Sequence, residues 1–169
     1  MGNAFGAGER RLYLSNGGTD VFVDVLVLAV SALAEEPWDL RFAALLTWQD
    51  QDLMGRGNVG FDLEEIDWGA TGRERAGAKD FVLRATALAL RRHRWDELGY
   101  DPPFAEGCLR EFAAMVASFD PHRAPAPADE DRFPGPGEGA VASCVRHRLL
   151  SRLPYRDGCV LCAGPDGRD

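Results

Sequence analysis

Apolar side chains recur at helical spacing through most of the first 120 residues. The first predicted helix begins at Thr19 or Asp20 and ends near Ala34. Its apolar residues cover most of its circumference, so we expect it at the centre of the core. Three more helices are predicted at residues 38–54, 73–95 and 102–119. The pattern therefore predicts a mainly α protein.

Two segments interrupt the helical pattern. Residues 11–15 alternate apolar and polar side chains, which predicts a short strand, and residues 55–68 predict a loop with one helical turn. Gly55, Gly57 and Gly60 in that loop spell G-x-G-x-x-G, a dinucleotide fingerprint only when it lies between a strand and a helix. Here the motif follows a helix, so we interpret the glycines as backbone requirements of a tight loop.

The composition changes sharply after the last predicted helix. Residues 1–120 are expected to form a single acidic helical domain. Residues 121–139 are rich in Pro and Gly and poor in apolar side chains, which predicts a linker that cannot bury enough surface to offset its ordering. Residues 140–169 then form a small C-terminal tail with apolar content of its own.

The tail contains the most specific motif in the chain. Cys144 and His147 form a C-x2-H pair, and Cys159 and Cys162 form a C-x2-C pair eleven residues later. Two such turns joined by a short spacer are typical of a tetrahedral Cys3His zinc site. The pattern therefore predicts a zinc-knuckle-like tail in which structural Zn2+ supplies the stability that so short a segment lacks.

Two alternatives to this zinc site stay open. The thiols are incidental in the first, and Cys159 and Cys162 form a redox pair in the second, although a redox C-x2-C favours a strand before it and a helix after it. Arginines around the motif make a positive patch that suits nucleic acid or docking onto the acidic body. They are Arg146, Arg148, Arg152 and Arg156.

Charge limits the classes of partner. The chain carries a formal net charge of −8, and residues 1–134 account for a net −9. A body this acidic repels phosphate backbones and favours cationic partners, so nucleic acid is an unlikely ligand except for the tail.

An acidic segment rich in aromatics predicts a partner-binding surface. Its carboxylates suit electrostatic steering of a basic protein, with the aromatic side chains supplying buried area. The alternative is a solvated acidic edge whose aromatics pack inward. The predicted partner-binding residues are Asp50, Asp52, Phe61, Asp62, Glu64, Glu65, Asp67 and Trp68.

No motif indicates catalysis or a membrane. The chain lacks a nucleophile elbow, a P-loop and an H-E-x-x-H sequence, so we expect a protein that is not an enzyme. An enzyme with an unfamiliar site stays open as an alternative, because catalytic carboxylates come together from distant positions in a fold. The longest apolar stretch, residues 21–33, is interrupted by Asp24 and looks too short to cross a bilayer, and no secretory signal is evident. A cytoplasmic protein is therefore expected.

Four stretches together resemble an uncharacterised family of small bacterial proteins that are similar to the immunity proteins of polymorphic toxins. They are SNGGTDVFVDVLVLAV, QDQDLMGRGNVGFDLEEIDW, RRHRWDELGYDPP and the terminal C-x2-H and C-x2-C pairs. The resemblance implies a non-enzymatic binding protein that neutralises a cognate, basic toxin domain. The alternative is a zinc-binding regulator or adaptor that contacts nucleic acid through its arginine-rich tail.

Overall fold

The computed structural model describes residues 2–125, 132–140, 146–150 and 160–163. About 53% of it is helical, which confirms the prediction of a mainly α protein. The helices are α1 (Asn16–Leu33), α2 (Pro37–Thr47), α3 (Gln51–Met54), α4 (Gly72–Leu90), α5 (Ala105–Ser118) and α6 (Val160–Ala163). The strands are β1 (Asn3–Ala7), β2 (Arg10–Leu14) and β3 (Gly60–Asp62), and single 3-10 turns occur at Leu63–Glu65 and Trp95–Glu97.

Helix α1 lies at the centre of the core, as its apolar pattern predicts. It packs against α2, α4 and α5, and Phe22, Val25 and Leu28 are fully buried. The helix begins at Asn16 because the Ser15 hydroxyl accepts a hydrogen bond from the Gly18 amide at 3.0 Å and caps the first turn.

The early start of α1 corrects one expectation. At 18 residues, Asn16–Leu33 is long and apolar enough to cross a membrane by length and composition alone, which the segment from Val21 was not expected to be. The core helix of a soluble protein meets the same criterion. Packing against three other helices accounts for the apolar character of α1 here.

A three-stranded sheet in the order β2-β1-β3 covers the core beside the helices. Strand β1 pairs antiparallel with β2 and parallel with β3. Only β2 is predicted from the sequence. Phe5 of β1 is fully buried, and its ring lies 5.0 Å from the rings of both Phe22 and Phe61. This aromatic cluster fixes the sheet onto α1.

Gly60 makes the parallel pairing of β3 with β1 possible. Its φ angle is +132°, and a Cβ atom at this position would lie 1.7 Å from the Ala4 carbonyl oxygen. Gly55 and Gly57 also adopt positive φ angles, of 88° and 80°. The structure thus agrees with the interpretation of these three glycines as backbone requirements rather than a nucleotide fingerprint.

Two helices end earlier than their apolar periodicity predicts. Helix α2 ends at Thr47 instead of residue 54, because Asp50 adopts an extended conformation and caps the separate short helix α3. Helix α4 ends at Leu90 instead of residue 95, because Arg92 and Arg94 adopt left-handed conformations. Periodicity alone does not detect such local breaks.

The second half of the predicted linker packs on the body, which corrects the expectation that this segment buries little surface. Phe133 is 3% exposed and stacks on Trp38, with 5.9 Å between the ring centroids. The Arg41 guanidinium lies 4.8 Å from the centre of the Phe133 ring, and its Nε donates to the Pro134 carbonyl at 2.6 Å. One aromatic side chain therefore anchors a segment that is otherwise rich in Pro and Gly.

Substituting Gly60→Ala should destabilise the fold by roughly 3–5 kcal/mol, because the added methyl group would overlap the β1 backbone at a φ angle that side chains avoid. Gly77→Ala is the matched control. Gly77 is helical with open space around its Cβ position, so this variant should gain about 0.5–1 kcal/mol. Urea denaturation of both variants measures the difference, and equal stability would contradict the pairing described here.

Candidate functional site

Two of the four predicted zinc ligands are in contact. The Sγ of Cys162, at the exposed face of α6, lies 3.3 Å from the Nδ1 of His147, fifteen residues earlier in the chain. Cys144 and Cys159 lie outside the described residues. Within the ranges that the structure describes, no group of three or more His, Cys, Asp or Glu side chains is arranged to hold a metal ion.

The body of the protein positions His147. Its carbonyl accepts a hydrogen bond from the Arg94 guanidinium at 3.1 Å, and Arg94 is itself paired with Glu97 at 2.8 Å. Two residues further on, Leu149 is fully buried, and the Leu150 amide donates to the Ser31 hydroxyl at 2.9 Å. The His147 side of the candidate centre is therefore attached to α1 and to the segment after α4.

The His147 and Cys162 pair fits a tetrahedral zinc centre. With ordinary Zn–S and Zn–N bond lengths, two ligands of one tetrahedral ion lie roughly 3.5 Å apart, close to the observed separation. Thiolate sulfur and imidazole nitrogen are also the donors that structural zinc favours. Arg148, directly after His147, has a φ angle of 53°, in the left-handed region that marks a local turn of the backbone.

Half of the arginine patch around the motif falls within the described residues. Arg146 and Arg148 are exposed. Arg152 and Arg156 lie outside the described residues. The two visible guanidinium groups are thus accessible to solvent or to a ligand.

Most of the predicted partner-binding carboxylates have partners inside the protein. Asp62 pairs with Arg11 at 3.2 Å, Asp67 pairs with Arg41 at 3.0 Å, and Glu65 pairs with Arg132. Glu64 accepts a hydrogen bond from the Gly8 amide at 2.6 Å. Sequence reasoning missed these partners, because Arg11, Arg41 and Arg132 lie far along the chain from the acidic segment.

The two remaining acids lie at the start of α3, Asp50 as its N-cap and Asp52 in its first turn. The Asp50 side chain caps this helix by accepting a hydrogen bond from the Asp52 amide at 2.8 Å. Asp52 itself is exposed, and Met54 at the end of the helix is 57% exposed. Helix α3 therefore carries one exposed carboxylate and one exposed apolar side chain.

The aromatic residues of the acidic segment are core residues, which corrects the expectation that they present area to a partner. Phe61 is 4% exposed and Trp68 is 3% exposed. The Trp68 indole donates to the Leu63 carbonyl at 2.8 Å and packs against Phe119, with ring centroids 5.4 Å apart. Both side chains pack inward because β3 and the turn after it cover the helical core.

Burial and neighbouring carboxylates act together on Asp62. Burial raises the pKa of this carboxyl, Arg11 acts in the opposite direction, and Glu65 and Glu64 raise it further. Holding Asp62 ionised at neutral pH therefore costs the folded state some stability.

A cleft of about 950 Å3 lies between the start of α2, residues 66–70 and the first half of α4. Trp38 and Trp68 line it, together with acids that already serve local structure. Asp39 accepts hydrogen bonds from the amides of Glu35 and Glu36, both at 3.0 Å. The first turns of α2 and α4 form two walls of the cleft, and the capping hydrogen bonds of these helices fix their acidic side chains in place.

Comparisons of the chain with protein-family models, curated proteins and solved structures found no match.

Ionisation of Asp62 and ionisation of Glu74 should change the free energy of unfolding in opposite directions as pH rises. Because the pKa of Asp62 is raised in the folded state, the folded protein loses stability as pH rises through that value. Asp62→Asn should therefore gain stability relative to the parent protein between acid and neutral pH. Hydrogen bonds from the Thr71 and Ala70 amides lower the pKa of Glu74, so Glu74→Gln should lose relative stability over the same rise in pH.

Urea denaturation of the parent and both variants at several pH values between acid and neutral measures this divergence. Drift of both variants in the same direction would contradict the electrostatic assignment of Asp62.

Proposed function

We propose that this chain is a cytoplasmic, non-enzymatic binding protein whose C-terminal tail is closed by a structural zinc ion on Cys144, His147, Cys159 and Cys162. The observation that carries the proposal is the contact between His147 and Cys162, one member from each half of the C-x2-H and C-x2-C motif.

The zinc ion, when bound, supplies a closed tetrahedral centre that cross-links the tail. The protein contributes the anchor for one side of it, since Arg94 and Ser31 hold the chain on either side of Leu149. Leu161, on α6 next to Cys162, packs against the hydrophobic core. Both described ligands thus sit beside side chains that dock the tail on the body.

The partner that we propose is the basic domain of a polymorphic toxin, whose active surface this protein covers. Two features support a cationic protein partner: the net charge of −8 and the sequence resemblance to immunity proteins. Because Phe61 and Trp68 are buried, we place the contact at the α3 patch, defined as Asp50, Asp52 and Met54. Met54 then replaces the aromatic side chains as the apolar element.

Purified protein should contain about one zinc ion per chain. Cys162→Ser and His147→Ala should each reduce the zinc content below about half an equivalent, because three ligands hold zinc far less tightly than four. Cys108→Ser is the matched control, since Cys108 lies on α5 outside the motif, and this variant should keep its zinc. Elemental analysis of the four proteins gives the answer, and a zinc-free parent protein would remove the proposed centre.

Asp52→Arg should weaken binding to the toxin domain by about tenfold or more, because it reverses the exposed charge of the α3 patch. The proposal predicts that the gene directly upstream encodes a polymorphic toxin, and the C-terminal domain of that toxin is the partner for this test. Glu9→Arg is the control, since Glu9 is an exposed acid in the turn between β1 and β2. Titration calorimetry compares the three proteins, and unchanged affinity of Asp52→Arg would exclude the α3 patch. Glu64 and Glu65 are avoided because their carboxylates hold Gly8 and Arg132.

Exposed Arg146 and Arg148 favour a second candidate, a zinc-dependent regulator that contacts nucleic acid through its tail. Retention on RNA or DNA that weakens as salt rises, and is lost in an Arg146→Ala and Arg148→Ala double variant, would select it over toxin inhibition.

A further inference from the structure

The Arg94 guanidinium connects the body of the protein to the His147 side of the candidate zinc centre. Its Nε and Nη2 atoms donate to the two carboxylate oxygens of Glu97, at 3.0 and 2.8 Å. Its Nη1 atom donates to the His147 carbonyl at 3.1 Å. A guanidinium is a rigid planar fork, so a carboxylate that holds one edge of the group also fixes the direction of its remaining donors.

The body fixes the position of Glu97 itself. Glu97 ends the 3-10 turn at Trp95–Glu97, where its amide donates to the Arg94 carbonyl at 3.0 Å. Trp95 and Leu98, on either side of this acid, are buried in the hydrophobic core. The pair of Arg94 and Glu97 therefore sits on a turn that is part of the folded body.

The chain after His147 is held at two further points. The Leu149 side chain is fully buried, and the Leu150 amide donates to the Ser31 hydroxyl at 2.9 Å. His147 is thus held at its own carbonyl and again two and three residues later. A ligand that is already near its bound position loses less conformational freedom when the metal binds, which raises the affinity.

The Glu97 carboxylate also affects the charge beside the centre. The hydrogen bond from Arg94 is the main cause that lowers the pKa of Glu97, and the charges of His147 and His93 lower it further. An ionised carboxylate close to His147 neutralises the arginine that would otherwise repel a metal cation. Ligating histidines are commonly supported by a carboxylate in this way.

We propose that Glu97, acting through Arg94, is a positioning residue for His147 that raises the zinc affinity of the tail. The inference rests on the zinc centre of the proposed function. It adds that residues of the body, outside the C-x2-H and C-x2-C motif, supply part of the affinity. Neither Arg94 nor Glu97 binds the ion. Glu97 orients and neutralises the guanidinium, and the guanidinium holds His147 where its imidazole meets the Cys162 thiol.

Competition with a chromophoric chelator measures the Zn2+ affinity of the full chain. Glu97→Gln should bind Zn2+ about tenfold more weakly than the parent protein, or worse, because losing a partner of a ligating histidine typically costs about 10–100-fold in metal affinity. Asp96→Asn is the matched control, since Asp96 is an exposed acid in the same turn and its replacement removes the same charge. This variant should keep the affinity of the parent protein.

A double variant tests whether Glu97 acts through Arg94. Arg94→Gln combined with Glu97→Gln should lose no more affinity than Arg94→Gln alone, because Glu97 then has no guanidinium to orient. Cobalt in place of zinc should give the same visible spectrum in the parent protein and in Glu97→Gln, since the four ligands are unchanged, whereas His147→Ala should alter it. With the metal removed, the parent protein and Glu97→Gln should unfold at the same urea concentration, since an exposed ion pair contributes little to stability.

The outcomes separate this inference from the zinc centre on which it rests. A parent protein that binds zinc, with a Glu97→Gln variant of equal affinity, overturns the positioning role and leaves the zinc centre standing. Equal weakening by Asp96→Asn also overturns it, because the effect would then follow total charge. So does a double variant weaker than Arg94→Gln, or a Glu97→Gln variant whose metal-free form is less stable than the parent. A parent protein that binds no zinc overturns both proposals.

Discussion

The fold depends on the buried amide of Asn3. Its Nδ2 donates to Thr19 and Gln51, both at 2.8 Å, and also lies 3.3 Å from the Asn16 side-chain oxygen, while its Oδ1 accepts from the Val59 amide at 3.1 Å. One side chain thus joins β1 to α1, to α3 and to the loop before β3. A fully buried amide is favourable only when its partners are present, so losing Asn3 leaves several buried polar groups unpaired at about 1–3 kcal/mol each.

The same network determines where the acidic edge lies. Gln49 accepts a hydrogen bond from the Gly60 amide at 2.8 Å, and Gly60 lies against Ala4 in the parallel pair. This pairing places Asp62 opposite Gly6, where the Arg11 guanidinium reaches it. Strand pairing therefore brings distant arginines to the carboxylates of the acidic segment. These carboxylates contribute to the fold and are not free to bind a partner.

The sequence predicts the features that depend on neighbouring residues and misses those that depend on residues far apart in the chain. The four long helices follow from 3.6-residue periodicity, and β2 follows from its alternation. Strand β1 escapes prediction because Asn3–Ala7 offers one large apolar side chain, Phe5, and its polar anchor is buried only when three other elements surround it. Arg11, Arg41 and Arg132 are equally invisible as partners of the acidic segment, because each lies at least 26 residues from its carboxylate. For the candidate zinc centre, the spacing of Cys and His predicts the ligand set, whereas the docking of His147 through Arg94 requires the folded body.

Contacts between tail and body also change the role expected for zinc. A short tail beyond a structureless linker would need the metal for any fixed conformation. Here Phe133, Ala140 and Leu149 are at most 3% exposed, and the Ala140 amide donates to the Leu40 carbonyl at 2.9 Å. Burial of these side chains stabilises the described segments 132–140 and 146–150 on the body through the hydrophobic effect. The proposed zinc ion would then join Cys162, on α6, to His147, which the body already holds through Arg94. Stability of the helical core and closure of the tail would then be separable properties, since the first depends on Asn3 and the aromatic cluster and the second would depend on the proposed ion.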